Sequence, residues 1–359
     1  MIGRFYADNF RCLTNFELEL DQTNIFLGPN GSGKTSVFDA LRKIQNLTVR
    51  GARIEDEFPQ RDLSCLRSDN QVQQFELEIV VEQEIYEYIL KMEHNLDRNR
   101  MWIDQEILQH EKKPLFVFEK GIARLYRDDY GRESSYQFDL SRSGIGFLHA
   151  HPDNKKLTRF KTELRNTAIV SPCPPLFKSE TNAVIRTGGA FLDPLMQNFV
   201  EWYWSVAQKN IGSVVRLFEE LKEVLPGFES LSMVESGENA RVLKAAFHGR
   251  SGDHRLNRYS FGQLSDGQRY LVALYSLLHL VDDDRLTEGH RRSLFIDEPD
   301  NYLSLREVQP WLAQVVDACG DALEQAVIIS HHPKTIDYLA GAKQGEITKM
   351  LWKSVHSVI

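Results

Sequence analysis

Eight residues, Gly28-Pro29-Asn30-Gly31-Ser32-Gly33-Lys34-Thr35, restrict the fold more than any other part of the chain. They satisfy GxxxxGK[ST] at every fixed position. They follow a short apolar run, Asn24-Ile25-Phe26-Leu27, and precede Val37, Leu41 and Ile44 at helical spacing. Strand, glycine loop and helix in that order let backbone N–H groups turn inward around phosphate oxygens, with the helix N-terminus adding partial positive charge. Lys34 is placed to reach β- and γ-phosphates, and the Thr35 hydroxyl to ligate Mg²⁺. The bland alternative is a glycine-rich turn before an ordinary helix. Three later motifs weigh against it.

Ser293-Leu294-Phe295-Ile296 is an apolar strand that ends in two acids, Asp297 and Glu298. A carboxylate at the strand end suits Mg²⁺, and its neighbour can polarise an attacking water. Leu264-Ser265-Asp266-Gly267-Gln268 opens a helix, so the Ser265 hydroxyl, nearby N–H groups and the helix dipole aim at one anion. A simple N-cap is the competing reading there. Ile328-Ile329-Ser330-His331-His332-Pro333 follows another strand, where a histidine can hydrogen-bond a phosphate.

With these residues in this order, the chain resembles the ABC-type P-loop ATPases. The family signature LSGGQ differs here only at Asp266. The resemblance implies that ATP and Mg²⁺ are the ligands. Asn30, Gly31, Ser32, Gly33, Lys34, Thr35 and Ser36 would hold the nucleotide, with Ser265 and Gly267 completing the site of a partner copy. Thr35 and Asp297 would hold the metal, while Glu298 and His331 would be catalytic. His332 is the weaker match to the switch position. A head-to-head homodimer follows, because the family shares each γ-phosphate between two chains.

Asp8-Asn9-Phe10-Arg11 before the first strands is typical of the SMC, RecF and OLD branches. It suggests base contacts through Arg11, with core packing the equal reading for Phe10. Ile296-Asp297-Glu298-Pro299-Asp300-Asn301 looks most like the predicted AAA-type ATPases allied to OLD nucleases, common in phage defence and toxin-linked loci. The stretch after His331 is too short for the TOPRIM nuclease domain, so nuclease activity is not expected. Implied roles are gating a separately encoded effector (a nuclease or toxin) or a nucleic-acid transaction. The alternatives are a RecF- or SMC-like repair ATPase and an ATP-closed scaffold with negligible hydrolysis. Ser304 stands where the family usually has the D-loop aspartate, and Gln71, Gln73 and Gln74 all compete for the Q-loop position.

The expected fold class is α/β, a P-loop core of mixed sheet flanked by helices, with an antiparallel β subdomain and an inserted helical lobe. As a single head spanning 1–359, it draws its core from 1–50 and 259–345, its β subdomain from 70–150, and its helical lobe with associated strands from 151–258. Period-two alternation over Gln74–Lys91 (Phe75, Leu77, Ile79, Val81), then strands at Met101–Leu108, Leu115–Phe118 and Ile122–Tyr126, carry the subdomain. His94–Arg100 and Asp128–Ser135 are read as turns. Lys155–Asn166 and Asp193–Leu225 read as helical, and no heptad run supplies SMC-type arms.

Hydrophobic residues make up 42% of the 359 and the net charge is -8, which argues against a molecule coated on nucleic acid. Lys155, Lys156, Arg159, Lys161 and Arg165 form a basic helix, read first as a solvated face and second as a DNA or RNA phosphate contact. Arg241, Lys244, Arg250, Arg255 and Arg258 form another basic run. Trp202-Tyr203-Trp204 reads as core or a docking surface, and His149 and His151 lack a third metal ligand. The cysteines Cys12, Cys65, Cys173 and Cys319 show no ligand spacing. The longest apolar run, Tyr270–Val281, is too short for a membrane span. A cytoplasmic protein with reduced thiols and no membrane partner is expected.

Overall fold

The computed structural model describes residues 1–64, 71–182, 191–237, 240–249, 255–280, 291–332 and 348–351. Cys65, Arg250 and Pro333 lie outside the described residues. The fold is α/β and divides into two compact units. One is built on Met1–Ile169 with Arg292–Leu294 and Thr348–Ile359, the other on Val170–Arg291 with Phe295–Ile347.

In the first unit, β1 (Ile2–Asp8), β2 (Phe16–Glu19) and β3 (Thr23–Leu27) precede α1 (Lys34–Arg50) and the short α2 (Ile54–Glu57). An antiparallel meander follows: β4 (Val72–Val81), β5 (Glu84–Asn95), β6 (Arg100–His110), β7 (Lys113–Glu119), β8 (Ile122–Tyr126) and β9 (Arg132–Gln137). Then come α3 (Gly144–Phe147), α4 (Lys155–Asn166) and β10 (Thr167–Val170). The opening strand pair and the meander form one sheet, ordered β2-β1-β4-β5-β6-β7-β8-β9, with Phe5 opposite Leu77. Strict in/out alternation along β4 is what a sheet with one buried face requires. The segment read as a turn, Asp128–Ser135, holds a strand in its second half. Tyr130 at φ 66° and Gly131 make the reversal, and polar Arg132–Gln137 serves as an edge strand on β8.

One face of α1 (Val37, Phe38, Leu41, Ile44, Leu47) is buried. Beside it Phe10, Phe58 and Phe75 cluster with ring centroids 5.0–6.0 Å apart, so Phe10 is a core residue. The Gln45 amide donates to the Leu164 and Thr167 carbonyls, fastening α1 to the end of α4.

The basic residues of α4 depart from both sequence readings. Lys161 is buried and donates to the Ile145 and Leu148 carbonyls at 2.8 Å each, and burial brings its pKa down to about 8. Arg159 pairs with Glu82 and Glu84, and Lys156 donates to the Asp128 carbonyl and the Tyr130 hydroxyl. Only Lys155 and Arg165 of this run stay exposed, so the helix is neither a broad solvated basic face nor a free phosphate-binding stripe. The sequence pattern hid this because the partners are acids and carbonyls distant in the chain.

In the second unit, β11 (Glu180–Asn182), α5 (Phe199–Ala207) and α6 (Ile211–Val224) lead to β12 (Phe228–Glu235), β13 (Ala240–His248) and β14 (Leu256–Ser260). These strands make an antiparallel sheet centred on β13. Trp202 and Tyr203 are core, while Trp204 lies under the Arg241 guanidinium, 4.8 Å from its ring centre. There follow α7 (Asp266–His279), β15 (Arg292–Asp297), α8 (Leu305–Ala318) and β16 (Leu323–Ile329). Trp311 of α8 is buried and donates its indole N–H to the Leu274 carbonyl at 2.8 Å, which sets α8 against α7. β15 and β16 are buried almost throughout, as strands covered on both faces are. The final described strand, β17 (Thr348–Leu351), runs parallel to β3 in the first unit. Among the described residues no helix is long and apolar enough to cross a membrane, no metal-ligand cluster occurs, and Cys12, Cys173 and Cys319 are free thiols.

A buried polar network lies behind β4. The Gln73 amide donates to the Asn9 and Asp62 carbonyls at 2.9 and 3.2 Å, leaving its carbonyl oxygen to accept from His94 Nε2 at 3.0 Å. The Nε2–H tautomer is thereby fixed, and Nδ1 is buried without a partner. Burial lowers the His94 pKa to about 4 from 6.5. The unfolded chain therefore takes up a proton as pH falls through 6.5 that the folded chain refuses until about 4. Stability is full above the upper value and is lost progressively across that window, by about 3 kcal/mol at most. Urea unfolding at pH 7 and pH 5 should show this loss, and His94→Gln should flatten the dependence. An equally steep slope in the variant would assign the effect elsewhere.

Candidate nucleotide site

The residues singled out in the sequence fall in two clusters, one in each unit. In the first unit the buried strand β3 ends at Leu27 and the chain turns through Gly28–Gly33 into α1. Gly31 (φ 79°) and Gly33 (φ 97°) lie in the left-handed region, where a side chain would be strained. A Cβ built on Gly31 would meet nothing within 4 Å, so open space lies over the loop at that point. Gly33 is the N-cap of α1, and no side chain caps the helix. By contrast α7 and α8 are each closed by a serine capping box. Lys34 is buried (4% exposed), and its ammonium donates to the Gly28 carbonyl at 2.8 Å, the Pro29 carbonyl at 3.0 Å and Ser32 Oγ at 3.2 Å. It is thus held across the loop by neutral oxygens. Asn30, Gly31 and Thr35 are exposed, and Ser36 lies 3.8 Å from Cys12 Sγ. Arg11 joins Asp39 of α1 to Asp62 through two ion pairs, and Lys43 reaches Asp62 at 2.9 Å. Both cations hold the Asp62 carboxyl below its ordinary range against the opposing effect of burial.

In the second unit β15 delivers Asp297, buried, and then Glu298, whose side chain is about one-third exposed. Glu298 has φ +52°, left-handed for a residue with a full side chain. Such a conformation costs on the order of 1–3 kcal/mol and persists only where neighbours over-determine it. Here its N–H donates to the Ile329 carbonyl at 2.8 Å, and its carbonyl accepts from the Tyr270 hydroxyl at 3.1 Å. Its carboxylate is flanked as well. Asn301 Nδ2 donates to Oε2, and His331 Nε2 stands 3.2 Å from Oε1. Ser330, buried beside them, donates to Asp300 Oδ2 at 2.9 Å and accepts from the His332 N–H at 3.1 Å.

Ser265 caps α7, accepting from the Gln268 N–H at 3.3 Å while Gln268 Oε1 accepts the Ser265 N–H at 3.1 Å. The N-cap reading of Ser265 is therefore realised, and Ser265 is still exposed at the helix start with Gly267 in the first turn. Asp266 adds a negative charge there, offset by an ion pair with Arg269. Ser304 is likewise a helix cap, its N–H and hydroxyl donating to Glu307 Oε2 at 2.9 and 2.7 Å. Of the three Q-loop candidates, Gln73 is buried in the His94 network, Gln74 donates to Glu76, and Gln71 is exposed.

The structure thus groups Glu298 and His331 in one cluster with Ser330 and Asp300, and it holds Lys34 inside its own loop. Two contributors escaped the sequence reading. Asn301, three residues past Glu298, was visible only as part of an acidic run. Tyr270 carries no signal in the sequence beyond its place on the buried face of α7.

Residues 24–337 match a family described as "AAA domain, putative AbiEii toxin, Type IV TA system". No curated protein matches the chain. Among solved structures it is similar to the SMC head domain from Thermotoga maritima, at 12% identity and a TM-score of 0.45, covering 96% of this chain and 92% of that one. It is also similar to the recombination mediator protein RecF of the RecFOR pathway, at 11% identity and a TM-score of 0.43, covering 92% of each chain.

The loop geometry gives a direct expectation for Lys34→Ala. The hydrogen bonds from Lys34 to Gly28, Pro29 and Ser32 lie within its own loop, so the variant should still fold, as thermal unfolding would show. ATP binding, followed by calorimetry, should disappear. Unchanged affinity in the variant would remove the loop from the nucleotide site.

Proposed function

We propose, since the chain belongs to this AAA-domain family, that it binds ATP with Mg²⁺ and hydrolyses it as a homodimer. The observation that carries the reading is Glu298, held at the end of β15 in a left-handed conformation with both carboxylate oxygens engaged. Strain at a carboxylate beside a second acid is the expected arrangement for a poised general base. The nucleotide core is drawn from 1–50 and 259–345.

Each residue has a role in this reading. The N–H groups of Asn30–Ser36 and the Lys34 ammonium take the phosphates. Hard oxygen donors, the Thr35 hydroxyl and the Asp297 carboxylate, suit Mg²⁺, which when bound offsets charge on the phosphates. Glu298 accepts a proton from water as the water oxygen bonds to the γ-phosphorus and the bond to the bridging oxygen of ADP breaks. His331, now against Glu298, supplies an N–H to the γ-phosphate. The exposed start of α7, with Ser265 and Gly267, takes the γ-phosphate bound to a second copy. Two-fold pairing then gives two identical sites.

The cycle of pairing and release gates a separately encoded effector in phage defence. The family description, which names a putative toxin of a type IV toxin–antitoxin system, supports a toxin-linked role. A nucleic-acid transaction is less supported, because Lys156, Arg159 and Lys161 are engaged within the chain. A cytoplasmic location accords with this role.

Glu298→Gln keeps size but removes the base, so it should bind ATP, slow turnover about 10²–10⁴-fold and accumulate a closed dimer. Light scattering after size exclusion, with and without ATP, measures the trap, and turnover at the wild-type rate would refute the assignment. The shared site has its own check. Ser265→Arg and Lys34→Ala chains, each inactive alone, should regain partial activity when mixed, because one intact site forms per heterodimer. Full activity of Ser265→Arg alone would exclude a role for α7 in a partner's site.

A further inference from the structure

Tyr270 lies on α7 five residues beyond Ser265, about 7.5 Å along the helix. Its side chain is fully buried, and its ring stands edge-on to Tyr302, with centroids 5.4 Å apart. Packing alone would be met equally well by phenylalanine. The hydroxyl is what differs, and it donates to the backbone carbonyl of Glu298 at 3.1 Å. Burial raises the phenol pKa well above its ordinary value, so the donor is present at any working pH.

The backbone of Glu298 is consequently held from two directions. β16 takes its N–H through the Ile329 carbonyl, and its carbonyl accepts from the Tyr270 hydroxyl of α7 at 3.1 Å and from the Asn301 N–H at 3.2 Å. Relaxation of the left-handed φ would have to break at least one of these bonds. The Asn301 side-chain amide and His331 restrain the carboxylate only after the backbone has aimed it. A helix moves as a rod, so a shift at its Ser265 end reaches Tyr270 with little loss.

We propose that Tyr270 is a positioning residue: its hydroxyl keeps Glu298 in the left-handed conformation and ties the aim of that carboxylate to the placement of the α7 N-terminus. This rests on the reading of Glu298 as the general base. A ligand arriving at Ser265 would be felt at the base through a single hydrogen bond.

The test is a double-mutant cycle in the full chain, with Tyr270→Phe, Glu298→Gln and the pair, each read by ATP turnover and by ATP titration. Tyr270→Phe should lower kcat about tenfold while KM and ATP affinity stay within about twofold. In the Glu298→Gln background it should have no further effect. Tyr270→4-aminophenylalanine, which keeps a donor at the same position, should restore most of the rate. If Tyr270→Phe does not fold, 4-fluorophenylalanine fills the same space without a donor and is read in the same way. A wild-type kcat in either donor-free variant, beside a slow Glu298→Gln, overturns the role of Tyr270 alone. The same tenfold loss in both backgrounds shows that Tyr270 acts elsewhere and also overturns it. A Glu298→Gln protein at the wild-type rate overturns the base assignment, and the role of Tyr270 with it.

Discussion

The left-handed backbone of Glu298 is the constraint around which the second unit is arranged. A φ of +52° carries a cost for a residue with a full side chain, and hydrogen bonds from its neighbours offset it. Three elements cooperate to keep it there. β16 supplies the Ile329 carbonyl, α7 supplies Tyr270, and the turn into α8 supplies Asn301. These elements can act as fixed points because their own packing is settled. β16 is covered on both faces, and Trp311 locks α8 to the backbone of α7. The local strain is thus sustained by ordinary apolar burial several residues away.

A different economy governs the first unit. Three helices begin near residues given functional roles, and two of them, α7 and α8, close their first turns with serine capping boxes. The third, α1, begins at a glycine that offers no side chain. Leaving that one helix start uncapped suits a loop whose natural cap is an anion. Lys34 lying on the carbonyls of Gly28 and Pro29 fits the same view, since a phosphate offers its ammonium a stronger, charged acceptor.

What the sequence disclosed, and what it hid, follows from the range of the interactions. The glycine loop, the acidic end of β15 and the serine start of α7 are local patterns, and they were legible with their elements. The β meander was legible too, because Phe75, Leu77, Ile79 and Val81 keep a strict period of two. The strand Arg132–Gln137 was missed because an edge strand needs no apolar face. The fate of Lys161 was missed because its partners are the carbonyls of Ile145 and Leu148, a contact that no helical pattern announces. Asn301 and Tyr270 belong to the same class: their importance lies in hydrogen bonds to Glu298, a residue outside their own element. Ser265 and Ser304 show the converse: each caps a helix, and a capping serine reads the same in the sequence as a serine at a phosphate-binding helix start.

Every role proposed for these residues depends on the conversion of ATP to ADP by this chain. Its most direct measurement is a single-turnover quench, in which protein in excess over ATP is mixed in the presence of Mg²⁺ and the nucleotides are separated over time. Bound ATP should be converted to ADP and phosphate in one Mg²⁺-dependent phase. Bound ATP recovered intact after prolonged incubation would contradict it.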